Sequence, residues 1–200
     1  FCYFVGGSPR DHLKTTVDCV DYSNDTATAA VKGPFSVYSK MIGATGNASF
    51  GYVGGGFGPA GFLSKVDRID YANDTATASP KGPLSLAREQ LSATGNSSFG
   101  YFVAGLNPSS NYDSTVDRVD YSNDTATAPT KGPLGTVNGR TGSTGNSSFG
   151  YAAGGYNGSS VISTVSRIDY SNDTGTVLTK GLLSAIRYNL AAASAQANAI

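Results

Sequence analysis

The stretch that decides the fold is Thr115-Val-Asp-Arg-Val-Asp-Tyr-Ser-Asn-Asp-Thr-Ala-Thr-Ala128. Its first seven residues alternate, so that Val116, Arg118 and Asp120 share one face. A period of two is the signature of a β-strand. The Ser-Asn-Asp that follows favours a turn, because short polar side chains bond to their own backbone. The Thr-Ala-Thr-Ala at the end predicts a further strand, Thr125–Ala128.

This stretch occurs four times in the chain. Its Asn-Asp-Thr tripeptide begins at positions that are 49, 50 and 49 residues apart, namely Asn24, Asn73, Asn123 and Asn172. The repeats themselves start near Phe1, Phe50, Phe99 and Phe149. Repeats of this length, each with several short strands, are typical of the blades of a β-propeller.

Two more strands precede the quoted stretch in each unit. Leu91-Ser-Ala-Thr94 predicts a short strand of small residues, and Phe99–Val103 predicts the next strand, which ends at Ala104-Gly105. Each unit therefore has four predicted strands. The sequence predicts an all-β protein whose residues 1–200 form a single domain.

The repeat resembles the kelch motif of β-propellers. The resemblance rests on an aromatic residue followed by paired glycines, as in Tyr3-Phe-Val-Gly-Gly7 and Tyr52-Val-Gly-Gly-Gly56, and on a motif tyrosine in every repeat. Those tyrosines are Tyr22, Tyr71, Tyr121 and Tyr170. The chain departs from the motif in having no tryptophan, with Thr or Ala in its place. The resemblance implies four-stranded blades, and the missing tryptophan implies thinner packing between them.

The order of strands at the two ends suggests how such a ring closes. Phe1–Val5 corresponds to the second strand of a blade, whereas residues 187–194 align with the innermost strand. We therefore expect a propeller of four kelch-like blades, closed by pairing of this C-terminal strand with the N-terminal blade. Two chains sharing one ring, or a chain that ends a longer protein, are the alternatives. Because Phe1 is not a methionine, the sequence is expected to be a fragment or a processed form.

Several function classes are disfavoured by composition. Lys+Arg and Asp+Glu balance at 14 each, which argues against nucleic-acid binding. No apolar run reaches the roughly 20 residues that cross a bilayer, so membrane insertion is not expected. His12 is the only histidine, which leaves too few ligands or bases for a histidine-based catalytic or metal site. We predict no catalytic residue, metal site or cofactor.

One hypothesis for the repeated aspartates is a ring of carboxylates that binds Ca²⁺. They fall at strand ends and in Asn-Asp-Thr turns, however, where carboxylates cap backbone N–H groups. Cys2 and Cys19 lack metal-ligand spacing. They are either two free thiols or a bridge between neighbouring strands of one blade.

Two stretches of each repeat differ between copies, while the rest barely changes. One follows the paired glycines, and the other follows the Lys-Gly link between units. Variable loops on a constant scaffold are the layout of a binding protein, although drift in unconstrained loops would look the same. We expect the loops that follow the paired glycines to emerge on one rim of the ring. The candidate ligand-binding residues on this rim are Arg10, Asp11, His12, Phe57, Phe62, Tyr112, Asp113, Tyr156 and Val161.

Units such as Asp67-Arg-Ile-Asp-Tyr71 also resemble repeat proteins of marine bacteriophages that infect cyanobacteria. The resemblance implies a virion or extracellular surface location, in a tail fibre or similar appendage. We expect a non-catalytic module that binds a host-surface glycan or protein, with other virion proteins and further copies of itself as partners. The alternatives are a structural assembly protein, or a glycan-active propeller enzyme with acid and base groups at the channel.

Overall fold

The computed structural model describes residues 1–8 and 14–194. Within them the chain has sixteen strands and one short 3-10 helix, Tyr71–Asn73. The strands are β1 (Cys2–Val5), β2 (Val17–Val20), β3 (Ala30–Lys32), β4 (Gly43–Gly46), β5 (Phe50–Gly54), β6 (Phe57–Gly58), β7 (Gly61–Phe62), β8 (Val66–Asp70), β9 (Ser79–Lys81), β10 (Ser92–Gly95), β11 (Phe99–Val103), β12 (Val116–Asp120), β13 (Gly142–Gly145), β14 (Phe149–Ala153), β15 (Thr164–Asp169) and β16 (Leu178–Leu182).

The strands pair into one antiparallel sheet per repeat. The first sheet has the order β1-β2-β3, the second β4-β5-β8-β9, the third β10-β11-β12 and the fourth β13-β14-β15-β16. Strands β6 and β7 form a separate hairpin. The predicted all-β fold is thereby confirmed, as are the small-residue strand, the aromatic strand and the alternating strand of each complete unit. Strands β4, β10 and β13 pair with the aromatic strand of their own sheet in the same register. Ala44 lies opposite Val53, Ala93 opposite Phe102 and Ser143 opposite Ala152.

The predicted fourth strand is misplaced. Thr125–Ala128 and its counterparts begin in turns and form no strand, and the outer strands begin later, at Ala30, Ser79 and Leu178. The reason is a long-range backbone contact that replaces the sheet pairing. Gly82 N–H donates to the carbonyl of Asp124 at 2.8 Å. The turn of one repeat thus bonds to the Lys-Gly link of the preceding one.

Apolar contacts join each sheet to the next. One buried cluster combines Tyr52, Val66 and Leu84 with Phe102 and Tyr121, which come from the second and third repeats. The rings of Tyr52 and Tyr121 are stacked, with centroids 4.5 Å apart. Equivalent clusters join the first sheet to the second and the third to the fourth. The four sheets therefore stack in chain order, with a core in each junction.

An aspartate, buried at two junctions and half-buried at the first, adds a polar anchor to each junction. Asp124 accepts a hydrogen bond from the Tyr52 hydroxyl at 2.9 Å and forms ion pairs with Arg68 at 2.7 Å and Lys81 at 3.2 Å. Tyr101, Arg118 and Lys131 make the same contacts to Asp173. At the first junction, Tyr3 and Lys32 contact Asp74. Each repeat thus offers cations and a phenol on one side and a carboxylate on the other.

The expected closing strand is not formed. Among residues 1–8 and 14–194, β1 pairs with β2 alone, and residues 187–194 include no strand. Residues 191–194 read Ala-Ala-Ala-Ser, without the threonine of the other inner strands or any other β-branched side chain that favours a strand. The edge of β1 is consequently open in the described structure.

Candidate functional site: the loop face

At one rim, the second variable stretch of a repeat meets the glycine-following stretch of the next repeat. Lys40 and Phe57 exchange backbone hydrogen bonds of 3.1 and 2.9 Å, and Gly139 and Tyr156 do the same at 3.1 and 2.9 Å. A third bridge joins Glu89 to Leu106. We call this rim the loop face, and define it as residues 37–41, 56–63, 86–90, 105–113, 137–140, 155–162 and 186–189. The scaffold therefore brings the two kinds of variable stretch, the one after the paired glycines and the one after the Lys-Gly link, together on one surface.

A backbone ladder sets the spacing of this face. Four residues, one per repeat, adopt left-handed backbone conformations with φ of 57°, 59°, 58° and 56°, namely Met41, Gln90, Arg140 and Asn189. Each is hydrogen-bonded to the one before it, at 2.9, 2.8 and 2.9 Å. A non-glycine residue in this region is uncommon, and it persists where the surroundings fix it. The ladder thus gives one variable residue of each repeat the same left-handed backbone conformation.

The predicted aromatic residues form two edge-to-face pairs. Phe57 and Phe62 lie across the β6–β7 hairpin, with ring centroids 5.6 Å apart. Tyr112 and Tyr156 come from different loops, and their centroids are 5.4 Å apart. All four side chains are half-buried. The pairs therefore support the loops as well as contributing surface to them.

A polar cluster behind Tyr112 was not foreseen from the sequence. The side-chain oxygen of Gln90 accepts hydrogen bonds from Tyr112 Oη at 3.0 Å and Arg140 Nε at 2.6 Å. Gln90 Nε2 in turn donates to the buried carboxylate of Glu89 at 2.8 Å. Burial is the main cause of the raised pKa of Tyr112. The signal available in the sequence was position, because Gln90 and Arg140 occupy the same place in consecutive repeats.

Asp113 and Val161 have structural contacts within their own loops. The Asp113 carboxylate accepts from the backbone N–H of Thr115 at 2.9 Å, from the Thr115 hydroxyl, and from Asn107 at 3.4 Å. Burial raises its pKa, but these hydrogen bonds outweigh burial and the net shift is downward. Val161 pairs with Tyr156 in a backbone bridge. Arg10, Asp11 and His12 lie outside the described residues.

The most exposed large side chains of the loop face come from the second variable stretch. Tyr38, Met41, Val137, Ile186 and Tyr188 are between 43 and 65% exposed. Tyr188 also lies under the Arg140 guanidinium, 5.6 Å from ring centroid to carbon. Exposed aromatic and flexible apolar side chains are suited to contacts with sugar rings and protein surfaces.

A cavity of about 660 Å³ opens where β4, β10 and β13 converge. Small and hydroxyl residues of β4, β10 and β13 line it, together with Tyr3, Tyr22 and Tyr71. No carboxylate or histidine occurs among the described residues of this lining. In the described part of the chain, there is also no group of three or more His, Cys, Asp or Glu side chains that could hold a metal ion.

Aspartates at strand ends cap turns, as their position predicted. Asp120 Oδ1 accepts from the backbone N–H of Ser122 at 2.9 Å and from its hydroxyl at 2.7 Å. These bonds hold the pKa of Asp120 below its usual value. The Asn-Asp-Thr aspartates are different, because Asp74, Asp124 and Asp173 are the inter-sheet anchors. Sequence reasoning assigned them to turns alone.

Cys2 and Cys19 are free thiols. Cys2 lies opposite Val20 and Cys19 lies opposite Tyr3, so the two are offset by one residue on paired strands. Neighbouring residues of a strand point to opposite faces of a sheet. The offset therefore places the two thiols on different faces.

No described helix has the length and apolar character required to span a membrane. Comparison with protein-family models gives no match to the chain, and comparison with curated proteins gives none either.

Proposed function

We propose that this chain is a non-catalytic binding module of a bacteriophage virion, which presents the loop face to a glycan or protein on the host surface. The observation that supports it best is the bridging, at one rim, of the second variable stretch of a repeat to the glycine-following stretch of the next repeat. A repeated framework of hydrogen bonds holds that rim, while its exposed side chains differ from repeat to repeat. The phage assignment itself rests on the resemblance of the repeats.

The four sheets, in this proposal, are blades of a kelch-like propeller. Stacked sheets with a common register, a small-residue inner strand and a shared cavity support this architecture. The sequence favoured four blades in a ring closed within one chain. Because residues 187–194 form no strand beside β1, that closure is not made in the described residues.

Hydrolysis or other group transfer is not part of the proposal. Acid–base catalysis needs titratable groups within reach of a substrate. The described residues that line the cavity are small, apolar, hydroxyl-bearing, phenolic, one thiol and one amide, with no carboxylate or histidine, and the strand-end aspartates are engaged in turns. A binding role needs no such groups.

The test is binding of the fluorescently labelled chain to whole cells, beginning with marine cyanobacteria. We expect saturable binding that falls at least about tenfold when Tyr38, Met41 and Tyr188 are replaced by alanine, because a few exposed aromatic or apolar anchors usually dominate an interface. These three are preferable to Tyr112 and Tyr156, which also support their loops.

The matched control is a double variant, Val31→Ala with Leu178→Ala. Both residues are exposed, at 72 and 57%, but they lie on outer strands away from the loop face. Equal loss of binding in both variants would contradict recognition through the loop face. Absence of cell binding, with assembly onto purified tail or capsid parts, would favour the alternative of a structural virion protein.

A further inference from the structure

The two ends of the sheet stack expose opposite halves of the same junction. The head face is the outward side of the first sheet, with Phe4, Asp18, Tyr22 and Asp25. The tail face is the outward side of the fourth repeat, with Tyr151, Arg167, Lys180, Gly181 and Arg187. At each of the three internal junctions, the equivalents of Tyr22 and Asp25 contact the equivalents of Tyr151 and Lys180 in the preceding repeat.

Exposure shows that the head face lacks its cover. Phe4 is 61% exposed, whereas its equivalent Phe102 is fully buried. Tyr22 is 68% exposed, whereas Tyr121 is 9% exposed and stacked on a tyrosine of the preceding repeat. These are large apolar surfaces that the repeat pattern is built to bury.

The polar groups of the head face are likewise without partners. Across residues 1–8 and 14–194, the carboxylates of Asp18 and Asp25 form no hydrogen bond or ion pair. Their internal equivalents do. Asp117 is paired with Arg88 at 3.0 Å, both fully buried, and Asp124 is paired with Arg68 and Lys81.

The tail face has the complementary cations. Within the described ranges, the side chains of Lys180 and Arg187 have no hydrogen-bond or ion-pair partner. In the described part of the chain, Arg167 stacks on Phe149 but lacks the aspartate ion pair that its equivalents Arg68 and Arg118 make. Three cations on one end therefore match two carboxylates on the other.

Repeat equivalence gives the contacts of a fourth junction. In a fourth junction built on this pattern, Asp18, which corresponds to Asp117, would meet Arg187. Asp25, which corresponds to Asp124, would meet Arg167 and Lys180. The Tyr151 ring would stack on Tyr22, as Tyr52 stacks on Tyr121.

We propose that this fourth junction forms between two copies of the chain, with the tail face of one on the head face of the other. The two faces do not meet within one chain, since none of these pairs is made there and β1 has no neighbour other than β2 in the described part. Because the head and the tail are different surfaces, the contact is heterologous. Copies then associate head to tail, closing into a ring where the rotation permits.

Sedimentation velocity of the purified 200-residue chain over a range of concentrations tests the proposal, without any cells. We expect the wild-type chain to associate as its concentration rises. Asp25→Lys should weaken association at least about tenfold, as should Arg167→Glu with Lys180→Glu, since a like-charge contact replaces an ion pair. An equimolar mixture of these two variants should form a dimer, because one supplies an intact tail and the other an intact head.

Two further variants separate association from folding. Asn123→Lys adds positive charge to an exposed turn in the third repeat and should leave association unchanged. Gly181→Ala adds a Cβ with nothing within 4 Å in its own chain, whereas the same atom at Gly82 would lie 1.8 Å from a carbonyl of the next repeat. Gly181→Ala should therefore abolish association in a fully folded monomer.

A wild-type chain that stays monomeric at every concentration would overturn the proposal, and closure by the chain's own tail would give that result. So would a mixture of the two charge variants that forms no dimer. The inference uses the stacked-repeat architecture but not the host-binding role. Loss of cell binding would therefore leave it intact, and failure to associate would leave the loop-face proposal intact.

Discussion

Tyr52 of the second repeat donates a hydrogen bond of 2.9 Å to Asp124 of the third, across 72 positions of sequence and in a fully buried setting. Arg68 and Lys81 share the same carboxylate. Through this one side chain, three elements of the second repeat are fixed to a turn of the third. The junction between sheets is therefore polar at its edge as well as apolar in its core.

Replacement of Asp124 by alanine should strongly destabilise the chain. It leaves two cations and a phenol without their acceptor, and breaking a buried ion pair costs about 3–5 kcal/mol. Urea unfolding followed by circular dichroism measures the loss. Asp25→Ala, in the same motif at the uncovered end, is the matched control. At protein concentrations low enough to keep the chain monomeric, its effect should stay within about 0.5 kcal/mol; equal effects would contradict the anchor role.

The buried pair of Arg88 and Asp117 offers a cycle of variants that the chain itself suggests. At the next junction, Asn138 of the third repeat and Ser166 of the fourth occupy the corresponding positions. Arg88→Asn alone should cost about 3–5 kcal/mol, because it leaves a buried carboxylate unpaired. Arg88→Asn with Asp117→Ser should recover much of that loss. A double variant as unstable as the sum of the two single ones would show that the pair is not coupled.

Glycine in the Lys-Gly link should be irreplaceable wherever the next repeat covers it. A Cβ on Gly82 would lie 1.8 Å from the carbonyl oxygen of Ala126, and overpacking of this kind costs about 1–3 kcal/mol or more. We expect Gly82→Ala to lower the midpoint of thermal unfolding, and Gly181→Ala, which meets nothing in its own chain, to leave it unchanged in the monomer. A similar drop in both would mean that backbone propensity, and not contact, explains the glycine.

Alkali should weaken the junctions. Burial, followed by the hydrogen bond to an aspartate, raises the pKa of Tyr52 and Tyr101, and burial raises the pKa of Tyr170 from 10.0 to about 12. A raised pKa means that the folded state holds its proton while the unfolded state loses it. The stability that the buried Tyr170 hydroxyl contributes to the folded state is therefore complete below pH 10, and it is lost as the pH rises towards about 12.

Unfolding in urea at stepped pH measures this loss, with tyrosinate absorbance as a second readout. Tyr170→Phe removes one of these titrating groups and should make the decline shallower. A stability that is flat between pH 10 and 12 would contradict the assignment.

The strands were predictable because their signals are local. The alternation in Val116–Asp120 and the small residues of Ser92–Gly95 reveal strands without knowledge of any partner. Asp124 was assigned to its turn because turn chemistry is also local, whereas its ion pairs depend on how the sheets stack. The recurrence of an aspartate and of a Lys-Gly pair in all four copies was the available clue.

The loop face was predictable only in outline. Variation among the four copies identified Phe57, Phe62, Tyr112 and Tyr156, but single-sequence patterns do not show which loops meet. The pairing of Tyr112 with Tyr156 depends on the backbone bridge between Gly139 of the third repeat and Tyr156 of the fourth. The exposed side chains of the second variable stretch, such as Tyr188, were overlooked because that stretch resembles a connecting link.

Each junction joins the cation-and-phenol side of one repeat to the carboxylate side of the next. The repeats can therefore follow one another in one orientation only. Any unit that keeps its carboxylate side and its cation side can follow any other through the tyrosine–aspartate and lysine–aspartate contacts that all three junctions share. Recombination between equivalent positions of two repeats would therefore exchange whole loops in frame and leave these shared contacts intact. A gene of this design can assemble new combinations of surface loops without first evolving a new core.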